Sequence, residues 1–363
     1  MSYKFRQIAR PLAAGGVILF ALACNPASAQ IEIKNEDVDL KLGIQGQFWG
    51  DWTQNPETGG YAQNLYLRRG RLMFGGDISD DITFFFQTDD PNLGKTPKTL
   101  SSGFIIQDAF LEWKINNAFR VDGGLMLVPF ARQPLQATTS YYQIDISNIS
   151  TVNNSSTSSS ALRDMGFQAR GFFLDDHLLY RMGVFDGERD ANARNSLRTA
   201  GYVQYDFFST ETGYAFLGTA LGQKKILAVD GGFDKQGRYR SWSGNVASDT
   251  PVHHGDEVGV NFQYIHYDGE NMFLTIPNQN DLLLELAYYL HRVKFQPFVA
   301  VSSQNFVTSA EQSKDLERYG SGVNYYIRGQ HLKWTMQYNR IVPRNSTTKP
   351  SNEMTMQLQV FYF

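Results

Sequence analysis

From residue 40 onward the chain alternates apolar and polar positions in short runs. Leu40, Leu42, Ile44, Phe48 and Trp52 share one parity, and Lys41, Gln45, Gln47 and Asp51 share the other. Period two marks a strand with one greasy face and one wet face. The last residues repeat the pattern: Met354, Met356, Leu358, Val360 and Tyr362 lie on one face, Thr355, Gln357 and Gln359 on the other. Pairing this final strand with the first would close a sheet and leave no edge.

Between these stretches the same reading predicts strands at 64–76, 82–88, 104–115, 119–128, 165–174, 178–185 and 198–208. Seven more follow at 225–233, 238–247, 257–267, 282–290, 293–303, 318–327 and 332–341, which makes sixteen in all. Asn116-Asn117, Asp175-Asp176, His291-Arg292 and Arg328-Gly329 supply tight turns. Residues 209–223 carry the weakest pattern and read as a connector. The longest irregular stretch is 129–163, with a polar run from Ser147 to Ser160.

An even number of strands of about ten residues, with short and long connections mostly alternating, predicts an all-β fold. The expected fold is a transmembrane antiparallel β-barrel of about 16 strands, with short periplasmic turns and long extracellular loops. A sandwich has no reason to sort its loops by length. A barrel of this size leaves an aqueous channel. The stretch 129–163 is the natural segment to fold into that channel, although its Ser/Asn/Thr richness equally suits a mobile surface loop. Residues 30–363 then form a single barrel domain.

Composition narrows the compartment. Aromatic residues make up 14 % of the chain, with 19 Tyr and 26 Phe, as lipid-facing strands and aromatic girdles require. A large aromatic-rich sandwich would show the same balance. Lys4, Arg6 and Arg10, the apolar run Leu12 to Cys24, and Ala27-Ser28-Ala29 read as a signal peptide cleaved after residue 29. The rival reading is lipidation at Cys24, within a loose lipoprotein box at Ala21 to Cys24. Cys24 is the only cysteine, so the mature chain holds no thiol for disulfides, catalysis or metal. Without the three basic leader residues, 30 Lys+Arg face 36 Asp+Glu, a net charge of −6. No Lys/Arg block points to nucleic acid.

A pore selects by its width and by the charge on its wall. The wet parity carries Lys41, Arg69, Arg71, Arg120, Arg170 and Lys333, against Asp51, Asp108, Glu112, Asp122 and Glu285. Arg69 and Arg71 sit two apart on one face, so their guanidiniums would stack along the wall. Arginine stays charged and grips an oxyanion with two parallel bonds. The candidate anion-contact residues are therefore Arg69, Arg71, Lys41, Arg120 and Arg170, with Arg132 at the start of the long loop. The other reading is that these arginines pair with nearby lumen acids and hold the wall rigid.

Leu67-Arg68-Arg69-Gly70-Arg71-Leu72 followed by Phe74-Gly75-Gly76, Gly124 to Phe130 ending in Pro-Phe, and Gly183-Val184-Phe185-Asp186-Gly187 resemble stretches of the phosphate-selective porin O/P family of bacterial outer membranes. Gln296-Pro297-Phe298-Val299 and Tyr319 to Tyr326 continue the series in the same order. The resemblance implies a sixteen-strand porin of the outer membrane, commonly a homotrimer in contact with outer-membrane lipid, passing small anions such as phosphate. It does not fix phosphate as the solute, because the mature chain is acidic and its long loop between Phe130 and Arg163 holds only Arg132. Terminal Phe363 resembles the assembly signal of outer-membrane barrels. Phe361 and Phe363 nevertheless fall on the polar parity, which calls either for a phase-resetting bulge or for a looser resemblance.

Other chemistry finds little footing. His253-His254 lack a third ligand at a recognisable spacing. Gly94-Lys95-Thr96 has Asp89 where a phosphate-binding Gly-x4-Gly-Lys-Ser/Thr loop needs its first glycine, Gly-x-Ser-x-Gly elbows are absent, and no cofactor is implied. A general non-selective porin, a plugged structural or adhesive barrel, and a barrel hydrolase stand as alternatives.

Overall fold

The computed structural model describes residues 31–34, 39–101, 103–154, 156–157 and 162–363, the first of these as backbone only. The signal peptide read at 1–29 and Cys24 lie outside the described residues.

A short strand, β1 (Ile31–Lys34), pairs with the start of β2 (Asp39–Gln54). Antiparallel neighbours then follow in chain order: β3 (Tyr61–Ser79), β4 (Ile82–Asp89), β5 (Ile105–Asn116) and β6 (Phe119–Leu127). Beyond the long loop come β7 (Arg163–Phe173), β8 (Leu178–Phe185) and β9 (Arg198–Asp206). The second half holds β10 (Ile226–Gln236), β11 (Tyr239–Pro251), β12 (Glu257–Asp268), β13 (Gln279–Tyr289) and β14 (Phe295–Phe306). It ends with β15 (Leu316–Gln330), β16 (Leu332–Pro343) and β17 (Ser351–Tyr362). β17 pairs with β2 from Glu353–Thr53 to Tyr362–Ile44, so β2 to β17 form one closed barrel of sixteen strands. All sixteen expected strands are present. No α-helix occurs among the described residues.

The barrel is apolar outside and polar inside. In β13 the inward Gln279, Asp281 and Glu285 are at most 3 % exposed, while the outward Leu282, Leu284 and Leu286 are 38–42 % exposed. Closure allows this inversion. Every ladder hydrogen bond is made between strands, so no edge meets lipid and the outer side chains can all be apolar.

Two features depart from expectation. The ladder between β17 and β2 runs without a register shift, so no bulge resets the phase of the last residues. Phe361 and Phe363 keep the lumen parity. The Phe363 ring lies over Gly43 and Gly75, where an added Cβ would come within 2.5 and 2.9 Å of it, and meets Phe85 edge-on at 5.5 Å. Loop lengths also break their rule twice. At the end of the barrel where β2 starts and β17 stops (the terminal end), residues 207–225 form a long connection between β9 and β10. At the opposite, loop end, β10 and β11 are joined by a tight turn at 237–238, with Gly237 at φ 57°.

Candidate functional site

The described residues of 128–162 leave β6 at the loop end and pack against the inner wall. Leu135 and Ile149 are fully buried, and Tyr141 and Tyr142 are each 4 % exposed. Polar wall residues hold the loop from several sides. Gln45 Nε2 donates to Thr138 Oγ1 at 3.0 Å, and Lys333 Nζ donates to the Thr139 carbonyl at 3.0 Å. Asn324 Nδ2 donates to the Tyr142 carbonyl at 2.9 Å, the Ile144 amide donates to Gln337 Oε1 at 2.8 Å, and Gln143 Nε2 donates to Glu285 at 2.9 Å. The Tyr142 hydroxyl donates to Asp249. An irregular segment has no ladder of its own, so its buried backbone groups need such partners.

The second inward segment is 207–225, entering from the terminal end. It meets the loop through a parallel bridge between Gln136 and Phe216, with the Phe216 amide donating to the Leu135 carbonyl and the Ala137 amide donating to the Phe216 carbonyl. Arg132 locks the junction. Its Nη2 lies 2.7 Å from Glu211 Oε2, its Nη1 donates to Gln204 Oε1 at 2.8 Å, and its guanidinium covers the Phe216 ring at 5.0 Å. The Tyr214 hydroxyl accepts from the Leu127 amide at 3.2 Å.

Between the loop and the opposite wall lies a cavity of about 1030 Å³. Its lining runs from Phe361 and Phe363 near the terminal end to Arg318 and Glu353 near the loop end. Among the described residues, six arginines (68, 69, 71, 163, 170 and 318) and five carboxylates (Asp89, Asp108, Glu112, Asp145 and Glu353) face it, which leaves that lining close to neutral. Each of these arginines has an acid partner. Arg69 Nη2 lies 2.5 Å from Asp145, Arg68 Nη2 2.9 Å from the same carboxylate, and Arg71 Nε 3.0 Å from Asp89. Arg163 pairs with Asp108 at 3.1 Å and Arg318 with Glu353 at 2.5 Å. Arg170 pairs with Asp122 at 3.0 Å and also with Glu112.

Asp145 is the acid that the loop itself supplies. Burial works to raise its carboxyl, but the Arg69 and Arg68 guanidiniums outweigh burial and hold it well below the usual carboxylate range.

The six residues singled out from sequence therefore part company. Arg69, Arg71 and Arg170 line the cavity. Arg132 is only 1 % exposed and sits under the loop, spent on Glu211, Gln204 and Phe216. Arg120 is held beside the Asn116-Asn117 turn by Glu112 and Asn117, over the Phe172 ring, and is not part of the lining. Lys41 lies at the start of β2, half-buried and outside the lining. Arg68, Arg163, Arg181 and Arg318 escaped the sequence reading. Arg181 was hidden because its neighbours on the inward parity, Leu179 and Phe185, are apolar, so alternation does not mark that face as wet. It stands opposite Arg170, which stands opposite Arg120, a row of like charges that Glu112 and Asp122 make tolerable.

The model of the family described as phosphate-selective porin O and P matches residues 42–218. Over those residues the chain is similar to that family. The stretch covers β2 to β9, the inward loop and the junction made by the second segment. No curated protein matches the sequence significantly. Among solved structures, the chain is similar to Salmonella typhi OmpF in complex with daunomycin, with TM-score 0.61 and 15 % identity, covering 91 % of this chain and all of that one. It is also similar to the outer membrane channel DcaP of Acinetobacter baumannii, at TM-score 0.59 and 11 % identity, over 91 % of this chain and 99 % of that one. A loop L8 deletion mutant of OmpT, an outer membrane protein of Vibrio cholerae, matches at TM-score 0.56 and 11 % identity, over 90 % of this chain and all of that one. At these identities the likeness concerns the fold, which is that of outer-membrane porins.

Proposed function

We propose that the chain is an outer-membrane porin through which small hydrophilic solutes diffuse passively, with a weak preference for anions. The observation that carries this reading is the charged cavity left beside the two inward segments, lined from one end of the barrel to the other. Six arginines against five carboxylates favour anions by a small margin, and pairing mutes each cation further. The family match over 42–218 favours phosphate as the solute. The near-neutral wall favours a general pore, and this second reading differs only in selectivity. The termini and short turns face the periplasm, the long loops face outward, and the chain is exported by its leader. Three copies make the working unit, as for the trimer form of OmpT from Vibrio cholerae.

A channel has more support than a hydrolase. Among the described residues, His177, His253, His254, His266, His291 and His331 all lie outside the cavity lining. The test is conductance of the purified chain in a planar bilayer bathed in KCl. Stepwise insertion of open channels is expected. A bilayer that stays silent while the protein is folded and inserted would leave the plugged barrel in its place.

A further inference from the structure

A continuous strip of aromatic rings lines this lumen. Phe363 meets Phe85 at 5.5 Å, Phe85 meets Phe110 at 5.9 Å, and Phe110 stacks on Tyr214 at 4.6 Å and 26°. All four line the cavity. They come from four separate places: the chain end, β4, β5 and the inward segment 207–225. Part of the strip seals a small apolar cluster behind it, where Phe110 packs with Met126, Val128, Phe185 and Ala200. That sealing needs only one face of the strip. Phe85 and Tyr214 remain half-buried, and Phe363 is 37 % exposed.

A guanidinium stands at the inner end of the strip. Arg170 lies 5.6 Å from the Tyr214 ring centre and is 5 % exposed. Its Nε and Nη2 are taken by Asp122 and Glu112, but its Nη1 has no hydrogen-bond partner among the described residues. Small-molecule sites are typically apolar and aromatic walls with a few placed polar groups, and this arrangement has that composition. The strip holds a flat apolar face by stacking, and the spare N–H of Arg170 takes one oxygen of a carboxylate.

We infer that the lumen contains a binding site for flat organic anions of the aromatic carboxylate class. The ring lies on the Phe85–Phe110–Tyr214 strip and the carboxylate on Arg170. The inference rests on the porin reading and adds a solute class to it. Inorganic phosphate has no apolar face and would pass this strip without engaging it.

The test uses the full chain in planar bilayers, with benzoate, cyclohexanecarboxylate and acetate added to a KCl bath. Benzoate is expected to reduce chloride current at concentrations at least fivefold below those needed for cyclohexanecarboxylate, and acetate to have little effect. Phe85→Leu keeps an apolar side chain but removes the ring. It is expected to erase the difference between benzoate and cyclohexanecarboxylate while chloride conductance changes less than twofold. If the wild-type channel conducts and the three acids act alike, the site is overturned and the porin reading stands. Equal action of the two six-membered acids, both above acetate, overturns ring stacking as its basis. A folded protein that conducts no chloride overturns both readings.

Discussion

Arg69 on β3 and Asp145 on the inward loop approach to 2.5 Å, and this pair joins the wall to the segment that narrows the lumen. Arg69 is also fixed from behind, donating through Nη1 to Gln47 Oε1 at 2.7 Å. The guanidinium is therefore oriented before the loop arrives. Arg68 shares the same carboxylate, so one acid from the loop satisfies two cations of the wall.

Asp145→Asn keeps the shape and removes the charge that both arginines share. Breaking one side of a buried ion pair typically costs about 3–5 kcal/mol. Asp145 keeps 18 % side-chain exposure, so the loss here belongs at or below the low end of that range. The loop should loosen while the barrel stays folded. Reversal potentials should move toward stronger anion preference, because two cations gain access to the pore. An unchanged potential would mean that Asp145 does not set the local field.

The pH dependence of this contact has a definite sign. A carboxyl held below its ordinary value adds stability that is fully present above the unfolded value, about 4. That contribution is lost only as pH falls through the lower folded value. Channel current should therefore be equally quiet at pH 5 and pH 8, with loop-derived noise rising only in strong acid. Noise that begins near pH 6 would assign the latch to another group.

Glu211→Gln tests the junction between the two inward segments. Arg132 would stay buried without its ion-pair partner, held by Gln204 and the Phe216 ring, at a cost of about 3–5 kcal/mol. Hydrogen exchange should then quicken at the Phe216 and Ala137 amides, which bond across the junction. Barrel-strand amides should be unaffected. Equal protection in both proteins would show that the parallel bridge stands without its ion pair.

The chain end offers a matched pair of glycine substitutions. At Gly43 an added Cβ would lie 2.4 Å from the Tyr362 carbonyl and 2.5 Å from the Phe363 ring, whereas at Gly244 nothing lies within 4 Å. Gly43→Ala should lower the yield of heat-modifiable folded barrel, read by its migration on unheated gels. Gly244→Ala should leave it unchanged. Similar yields from both would mean that Phe363 can leave its place over Gly43 and Gly75 without penalty.

These contrasts show what alternation can and cannot convey. Parity placed Gln45, Gln47, Arg69, Arg71, Asp122 and Lys333 on the inner face, because a closed barrel admits only two directions for a side chain. Partner choice was beyond it. Arg71 meets Asp89, 18 residues along the chain, while Arg69 meets Asp145 at a separation of 76, and nothing in period two encodes either distance. Arg132 looked like a pore residue because it opens the long loop, and it is buried instead, since the loop folds its start against β9 and residue 211. Residues 209–223, within the inward segment 207–225, read as a connector because they lack a period. Their length on the side of short turns, with Tyr214, Phe216 and Leu217 among them, was the available signal that they fold inward.

The most direct test of the account is the reversal potential of the purified channel across a tenfold KCl gradient. A perfectly selective pore gives roughly 59 mV. A near-neutral wall predicts an anion-selective sign and less than about half of that value. The double substitution Arg69→Ala/Arg71→Ala leaves Asp145 and Asp89 facing the cavity with fewer counter-charges, and should carry the potential across zero toward cations. Near-ideal selectivity of either sign that the double substitution leaves in place would contradict the paired wall, and a folded channel without current would contradict the pore itself.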